Sequence, residues 1–233
     1  HDISPAWKPY PPSGKKKEYA SQVLANGLPI RMDTSCQFWN HGRLALKRLH
    51  PELHELLPQE AYGKGHFIEY NIFHPEARKI YKRYWEAALD MYQDELNRPP
   101  IDVELFNEPS YDDPSPYNRE LFAKYLEEKY ESVDAMNRLW RTEYPSFEAA
   151  SQFRQRTDHA GLYVDWGKFM EKGMTDINRF GRDVVKSKSP STTVSFQIMG
   201  MDNYRRLPAT NMNSYEVQKL MDVIALPTGA GLE

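Results

Sequence analysis

Cysteine is nearly absent. Cys36 stands alone among 233 residues, which excludes an internal disulfide and any zinc site built on several thiolates. Long apolar runs are missing too. No stretch approaches the ~18 consecutive apolar residues of a membrane span, so none is expected. Neither sign of charge dominates, with 30 Lys and Arg against 33 Asp and Glu. A nucleic-acid binder usually carries a basic surplus, so no nucleic-acid partner is expected. There is no Gly-rich phosphate loop, no Gly-x-Ser-x-Gly elbow and no His-Glu-x-x-His pair. His50 and His54 have i,i+4 spacing, but Pro51 follows His50 and no third ligand matches them. They, with His41, His66 and His74, read as surface histidines. No metal and no cofactor is implied, and neither repeats nor low-complexity tracts occur.

What the chain has in quantity is aromatic side chains, 13% of the total, in a length that can bury a core without disulfide or metal staples. Residues 1–14 hold four prolines and read as an irregular lead-in. A helix is expected over Lys15–Asn26, ended by Gly27, then a strand over Leu28–Asp33. A long connection follows, Thr34 to His74, with a short helix near Leu44–Leu49. Connections of that length are often functional. The clearest helix is Pro75–Leu96, where Ala77, Ile80, Tyr81, Tyr84, Trp85, Ala88 and Met91 recur at helical spacing. Ile101–Phe106 alternates apolar and acidic residues, a strand. Helices follow at Tyr117–Tyr130 and Val133–Trp140, then a polar stretch (145–160), then a long helix over Tyr163–Ser187. Thr192–Ile198 is a strand, Tyr215–Leu220 a short helix and Asp222–Leu226 a last strand. Strands alternating with helices of this length imply βαβ units and a parallel sheet, the four strands adjacent in chain order. In such folds ligands bind at the carboxyl edge of the strands.

The sharpest local signal is Phe106-Asn107-Glu108-Pro109 at a strand end. A carboxyl group there can face a substrate, and desolvation would raise its pKa toward that of a general acid. Asn107 can hydrogen-bond a sugar hydroxyl, and Pro109 ends the strand. A surface Glu before a proline turn would have the same local sequence. Other candidates are Trp39, with Phe38, as a stacking platform for a sugar ring, Tyr111 beside Glu108, and Gln197, Asn203 and Tyr204 at or after the third visible strand. Asp112-Asp113 and Glu127-Glu128 read as solvated charges.

Asn-Glu at the end of a fourth barrel strand marks the acid/base of clan A glycoside hydrolases, and the resemblance here extends further. His50-Pro51-Glu52, the later His74-Pro75-Glu76-Ala77-Arg78 entering a long helix, and Met136-Asn137-Arg138-Leu139-Trp140 with Thr142 resemble family 42 β-galactosidases. Similar patterns occur in agarases of the clan. The likeness covers roughly residues 22–228. Family 42 typically has an aromatic residue and Gly after Asn-Glu, whereas Pro109-Ser110 stand here. The resemblance implies an α/β fold, a (β/α)8 TIM barrel with strands three to six in this chain, so that residues 1–233 form a partial barrel domain. It implies retaining hydrolysis of a β-linked, galactose-containing oligo- or polysaccharide, with Glu108 as acid/base, Asn107 on the hydroxyl beside the anomeric carbon, and no cofactor.

The clan's nucleophile sits on strand seven, and is therefore expected outside this chain. His1 in place of Met leads to the expectation that the chain has been processed, cut or recloned, so that its original start is not visible. The isolated piece is expected to be inactive, and either self-associated or completed by another chain. A non-catalytic carbohydrate-binding barrel and a bare structural fragment remain alternatives. Secretion or a periplasmic location is expected from the substrate class, because polymers do not enter cells.

Overall fold

Local sequence sets the helix ends in this protein, and burial sets their faces. The fold is given by a computed structural model that describes residues 14–28, 30–33, 71–93, 101–107, 109–197 and 212–225. Helix α1 (Gly14–Ala25) ends on Gly27 at φ +70°. There the Leu28 N–H reaches the Val23 carbonyl and the Gly27 N–H the Leu24 carbonyl, the paired bonds of a left-handed helix stop. Strand β1 (Ile30–Asp33) follows. Helix α2 (Pro75–Met91) starts with proline at its first position, and the His74 imidazole caps it by accepting the Glu76 N–H at 3.2 Å. Of its predicted stripe, Ala77, Ile80, Tyr81, Trp85 and Ala88 are buried and Tyr84 is half-buried; Leu89, outside that stripe, is buried too.

Strand β2 (Ile101–Asn107) leads through a proline-rich turn to α3 (Pro116–Tyr130). Helix α3 stops at Glu131, which takes a left-handed φ of 60°. Ser132 caps α4 (Val133–Trp140), and Ser146 caps α5 (Phe147–Ser151) by accepting the Ala149 N–H. The short α5 lies inside the stretch 145–160, which the sequence marks only as polar. It forms because a cap precedes Phe147 and Ala150, both of which are buried. Helix α6 (Ala160–Lys188) begins three residues before its expected start, since His159 supplies the cap. Strand β3 (Thr193–Gln197), helix α7 (Ser214–Leu220) and strand β4 (Val223–Ala225) complete the described elements.

The four strands form one sheet in the order β1-β2-β3-β4, every neighbouring pair parallel, as expected from the sequence. Met32, Val103 and Val194 lie in register on one face and are buried with Leu105 and Phe196. Helices α2 and α6 cover that face. Trp85 meets Phe106 edge-on at 5.7 Å. Gly181 of α6 lets the helix approach so closely that an added Cβ would lie 2.8 Å from the Trp85 ring and 3.1 Å from Leu105. A second aromatic cluster joins α3 to α6: Phe122 is edge-on to Trp166 at 5.0 Å, and Phe73 stacks on Phe169 at 4.5 Å. Beside it, the Asp165 carboxylate of α6 gathers the Lys129 ammonium, the Tyr130 hydroxyl at 2.5 Å and the Trp140 indole N–H at 3.2 Å.

The opposite face of the sheet is polar. Arg31 Nε lies 2.9 Å from Asp102 and its Nη1 3.6 Å from Glu104, while the Ser195 hydroxyl donates to Asp102 at 2.6 Å. Three strands are thus tied by one carboxylate. The acidic positions that alternate along β2 all fall on this face, which is how a period-two pattern distributes side chains.

Candidate active site

The carboxyl edge of the sheet is where β2 delivers Asn107. The register of β2 against β3 shifts between Glu104 and Asn107. Such a shift in register re-aims the residues beyond it, as a bulge does. Past the shift, Asn107 stands opposite Gln197, and Gln197 opposite Ala225. Two of the residues expected at the site, Asn107 and Gln197, are therefore backbone neighbours on adjacent strands, about 4.8 Å apart in the ladder direction. Gln197 is half-exposed. Glu108, Trp39 and Tyr204, with Phe38 and Asn203, lie outside the described residues, as do His41, His50, His54 and His66. The next residue after Glu108, Pro109, is buried.

The turn from Pro109 to Ser115 is built around acidic residues. Asp113 is 0% exposed, and its carboxylate accepts from the Tyr111 hydroxyl at 3.0 Å, the Ser115 N–H at 3.1 Å, the Ser115 hydroxyl at 3.3 Å and Asn118 Nδ2 at 3.0 Å. Asn118 also donates to the Asp113 carbonyl at 2.8 Å and to the Tyr111 oxygen at 3.2 Å. Asp112 reaches α6, accepting from the Trp166 indole N–H at 2.6 Å and from Arg156 at 3.4 Å. Asp112 and Asp113 are thus not the solvated charges expected from their exposed-looking sequence. Asp113 is a buried acceptor ringed by donors of the turn and of α3, and Asp112 is a half-buried one whose donors come from Trp166 and Arg156. Glu127 and Glu128 are exposed as expected.

Tyr111, expected to touch the sugar, is 1% exposed. Its ring tilts against Phe73 at 6.3 Å and its hydroxyl is engaged by Asp113 and Asn118, which gives it a place inside the turn. Burial, and then the Asp113 charge, push its phenol well above the ordinary tyrosine range. The sequence alone does not place Tyr111 and Asn118 around Asp113, although Asp-Pro-Ser-Pro is a signature of side-chain-to-backbone turns. The Ser115 N–H to Asp113 bond, two residues apart, is one. At the rim beside it, His74 and Tyr117 meet with ring centroids 4.7 Å apart. Among the described residues no group of His, Cys, Asp and Glu has the arrangement to hold a metal ion, and no helix is long and apolar enough to cross a membrane.

Comparison with known proteins matches this architecture. The β-galactosidase BglY of Alicyclobacillus acidocaldarius is 26% identical over 117 residues, covering 47% of this chain and 16% of that protein. A β-galactosidase structure from Bacillus circulans sp. alkalophilus superposes with a TM-score of 0.70 at 18% identity, covering 94% of this chain and 33% of its own. The agarase AgWH50C superposes with a TM-score of 0.55 at 13% identity, covering 88% and 29%. The chain spans about a third of the length of these solved structures. Residues 46–228 match the profile of glycoside hydrolase family 42, described as β-galactosidase, and the chain belongs to that family.

Proposed function

We propose that the protein of which these residues are part hydrolyses β-galactosidic bonds with retention, and that Glu108 is its acid/base. The observation that carries this reading is the family match, which runs across β2 and the Asn107-Glu108-Pro109 sequence at its end. On this reading β1 to β4 are strands three to six of a (β/α)8 barrel. The carboxyl edge that joins Asn107 to Gln197 is then the substrate face, with Asn107 on the hydroxyl next to the anomeric carbon and Gln197 within reach of a neighbouring one. Trp39 and Tyr204 supply further sugar contacts. Glu108 protonates the leaving oxygen and, in the second step, takes a proton from water. The nucleophile, about 5–5.5 Å from the acid/base in retaining enzymes, is assigned to a later strand than β4. Four parallel strands do not close a barrel, so closure draws on strands elsewhere in the polypeptide or on a second chain. A non-catalytic binding barrel is not favoured by the comparisons.

The test is Glu108→Gln in the intact protein. Turnover should fall sharply on alkyl β-galactosides, whose leaving group needs a proton, and less in the first step on activated aryl galactosides. Azide should restore part of the second step, because a small anion needs no general base. Equal loss on both substrates without azide rescue removes Glu108 from the role.

A further inference from the structure

The turn after Glu108 contains more than a helix cap requires. Capping α3 would need one acceptor, yet the seven residues 109–115 hold two adjacent carboxylates, Asp113 fully buried and Asp112 half-buried. Burying a carboxylate is unfavourable unless donors surround it. Here they do: Asp113 takes the phenol of Tyr111, the N–H and hydroxyl of Ser115 and the amide of Asn118. Asp112 points the other way, onto Trp166 and Arg156. Arg119 adds a bond to the Pro114 carbonyl at 2.8 Å and another across to the Ser151 carbonyl at 2.7 Å. The turn is therefore fastened to α3, α5, α6 and the segment before α6. Position 107 is held in the β ladder opposite Gln197. Position 109 is buried, and position 111 is clamped by two side chains. The described backbone is thus held at 107 and again from 109 to 111.

We propose that Asp113, acting through Tyr111 and Ser115, is a positioning residue for the acid/base: it sets where the chain places residue 108 relative to the glycosidic oxygen. The proposal rests on the reading of Glu108 given above. A proton donor is sensitive to such placement, since a displacement of about 1 Å can cost on the order of a hundredfold in rate. Sugar binding, spread over several side chains, is much less so. Loosening the cage therefore has a signature distinct from general destabilisation. Steps that need protonation of the leaving group slow, steps that do not are spared, and KM changes little.

The experiment compares Asp113→Asn, Tyr111→Phe and Glu108→Gln in the intact protein. The substrates are methyl β-galactoside and 2,4-dinitrophenyl β-galactoside, assayed well below each variant's unfolding midpoint. Asp113→Asn keeps the shape but turns one acceptor toward its donors as an N–H2. Expected are a fall in kcat of about tenfold or more on the methyl glycoside, a several-fold smaller fall on the first step of the dinitrophenyl glycoside, KM within about twofold, and a displaced basic limb in the pH profile of kcat/KM. Tyr111→Phe should show the same selectivity with a smaller loss, and it carries the test if Asp113→Asn does not fold. If Glu108→Gln shows the leaving-group dependence while the Asp113 and Tyr111 variants slow both substrates equally, or neither, the positioning role is overturned and the acid/base assignment stands. If Glu108→Gln lacks that dependence, both are overturned.

Discussion

Asp165 offers a quantitative test of how the α3–α4 hairpin is held against α6. The carboxylate is 1% exposed. One oxygen meets the Lys129 ammonium, and the other takes the Tyr130 hydroxyl at 2.5 Å and the Trp140 indole at 3.2 Å. Asp165→Asn preserves the volume but leaves a single acceptor oxygen. Either the amide N–H2 faces the Lys129 ammonium, or it faces two N–H and O–H donors, so at least one hydrogen bond to a charged group is lost. Such bonds contribute about 1.5–3 kcal/mol. The Lys129 share is discounted, because its side chain is 38% exposed and the ammonium can turn to water. The net expectation is a loss of about 2 kcal/mol, or roughly 4–8 °C in the unfolding midpoint for a chain of this size. Asp165→Leu leaves the hydroxyl and the indole N–H buried without their acceptor and should lose more, about 3–5 kcal/mol. Lys129→Met alone should lose less than about 1 kcal/mol. Urea unfolding followed by circular dichroism, comparing midpoints at constant slope, measures all three. A value for Asp165→Asn within about 0.5 kcal/mol of the unaltered protein would refute the assignment of this carboxylate as the hairpin's anchor.

The same site should weaken in alkali. Burial first, and then the bond to Asp165, raise the Tyr130 phenol above its ordinary 10.0. The stabilisation it contributes is therefore complete below that value and is lost as pH rises through the folded-state pKa; an unfolding midpoint that is flat above about pH 10 would contradict this. Asp222 should act at the other end of the scale. Burial opposes its ionisation, but the Lys186 ammonium at 2.6 Å and the Val194 N–H at 2.9 Å prevail and hold it below 3.8. Its contribution is present above that value and lost as pH falls through the lowered pKa, so Asp222→Asn should flatten the acid limb of the stability curve. Gly181→Ala should destabilise, because overpacking costs about 1–3 kcal/mol and the ~1 kcal/mol gained in helix propensity offsets only part. Calorimetry showing a raised midpoint for that variant would mean that Trp85 can move aside.

Much of the fold was legible because its signals are local and repeated. The stripe on α2, the alternation in β2 and the β-branched run in β3 each specify an element whose face is then buried. The left-handed stop at Gly27 follows from a single residue. What the sequence does not show depends on partners distant along the chain. Asp112 looks like a loop charge until Trp166 and Arg156 are placed beside it, 54 and 44 residues away. Phe147–Ser151 is too short for periodicity to speak, and only the cap at Ser146 marks it. At the candidate site, position was readable and orientation was not. Asn107 at a strand end follows from the alternation of Ile101–Phe106, whereas the register shift that puts it opposite Gln197 requires β3. Tyr111 has the composition of a ligand contact, and only the cage of donors and acceptors around it reveals an inward role.

The polar rung of Arg31, Asp102 and Ser195 bears on how the chain finds this arrangement. Its two bonds join residues 71 and 93 positions apart, so each closes a long loop at a large entropic cost. Apolar faces alone would tolerate several strand neighbours, since one greasy surface resembles another. A directional carboxylate does not. If β1 or β3 docked one residue out of step, Arg31 or Ser195 would turn to the helix side, leaving Asp102 without its donors and burying a cation or hydroxyl among Val103, Trp85 and Leu105. The rung thus works as a proofreading contact: a sheet assembled from distant segments becomes stable only when the three strands arrive in the alignment that also brings Asn107 and Gln197 side by side at the carboxyl edge.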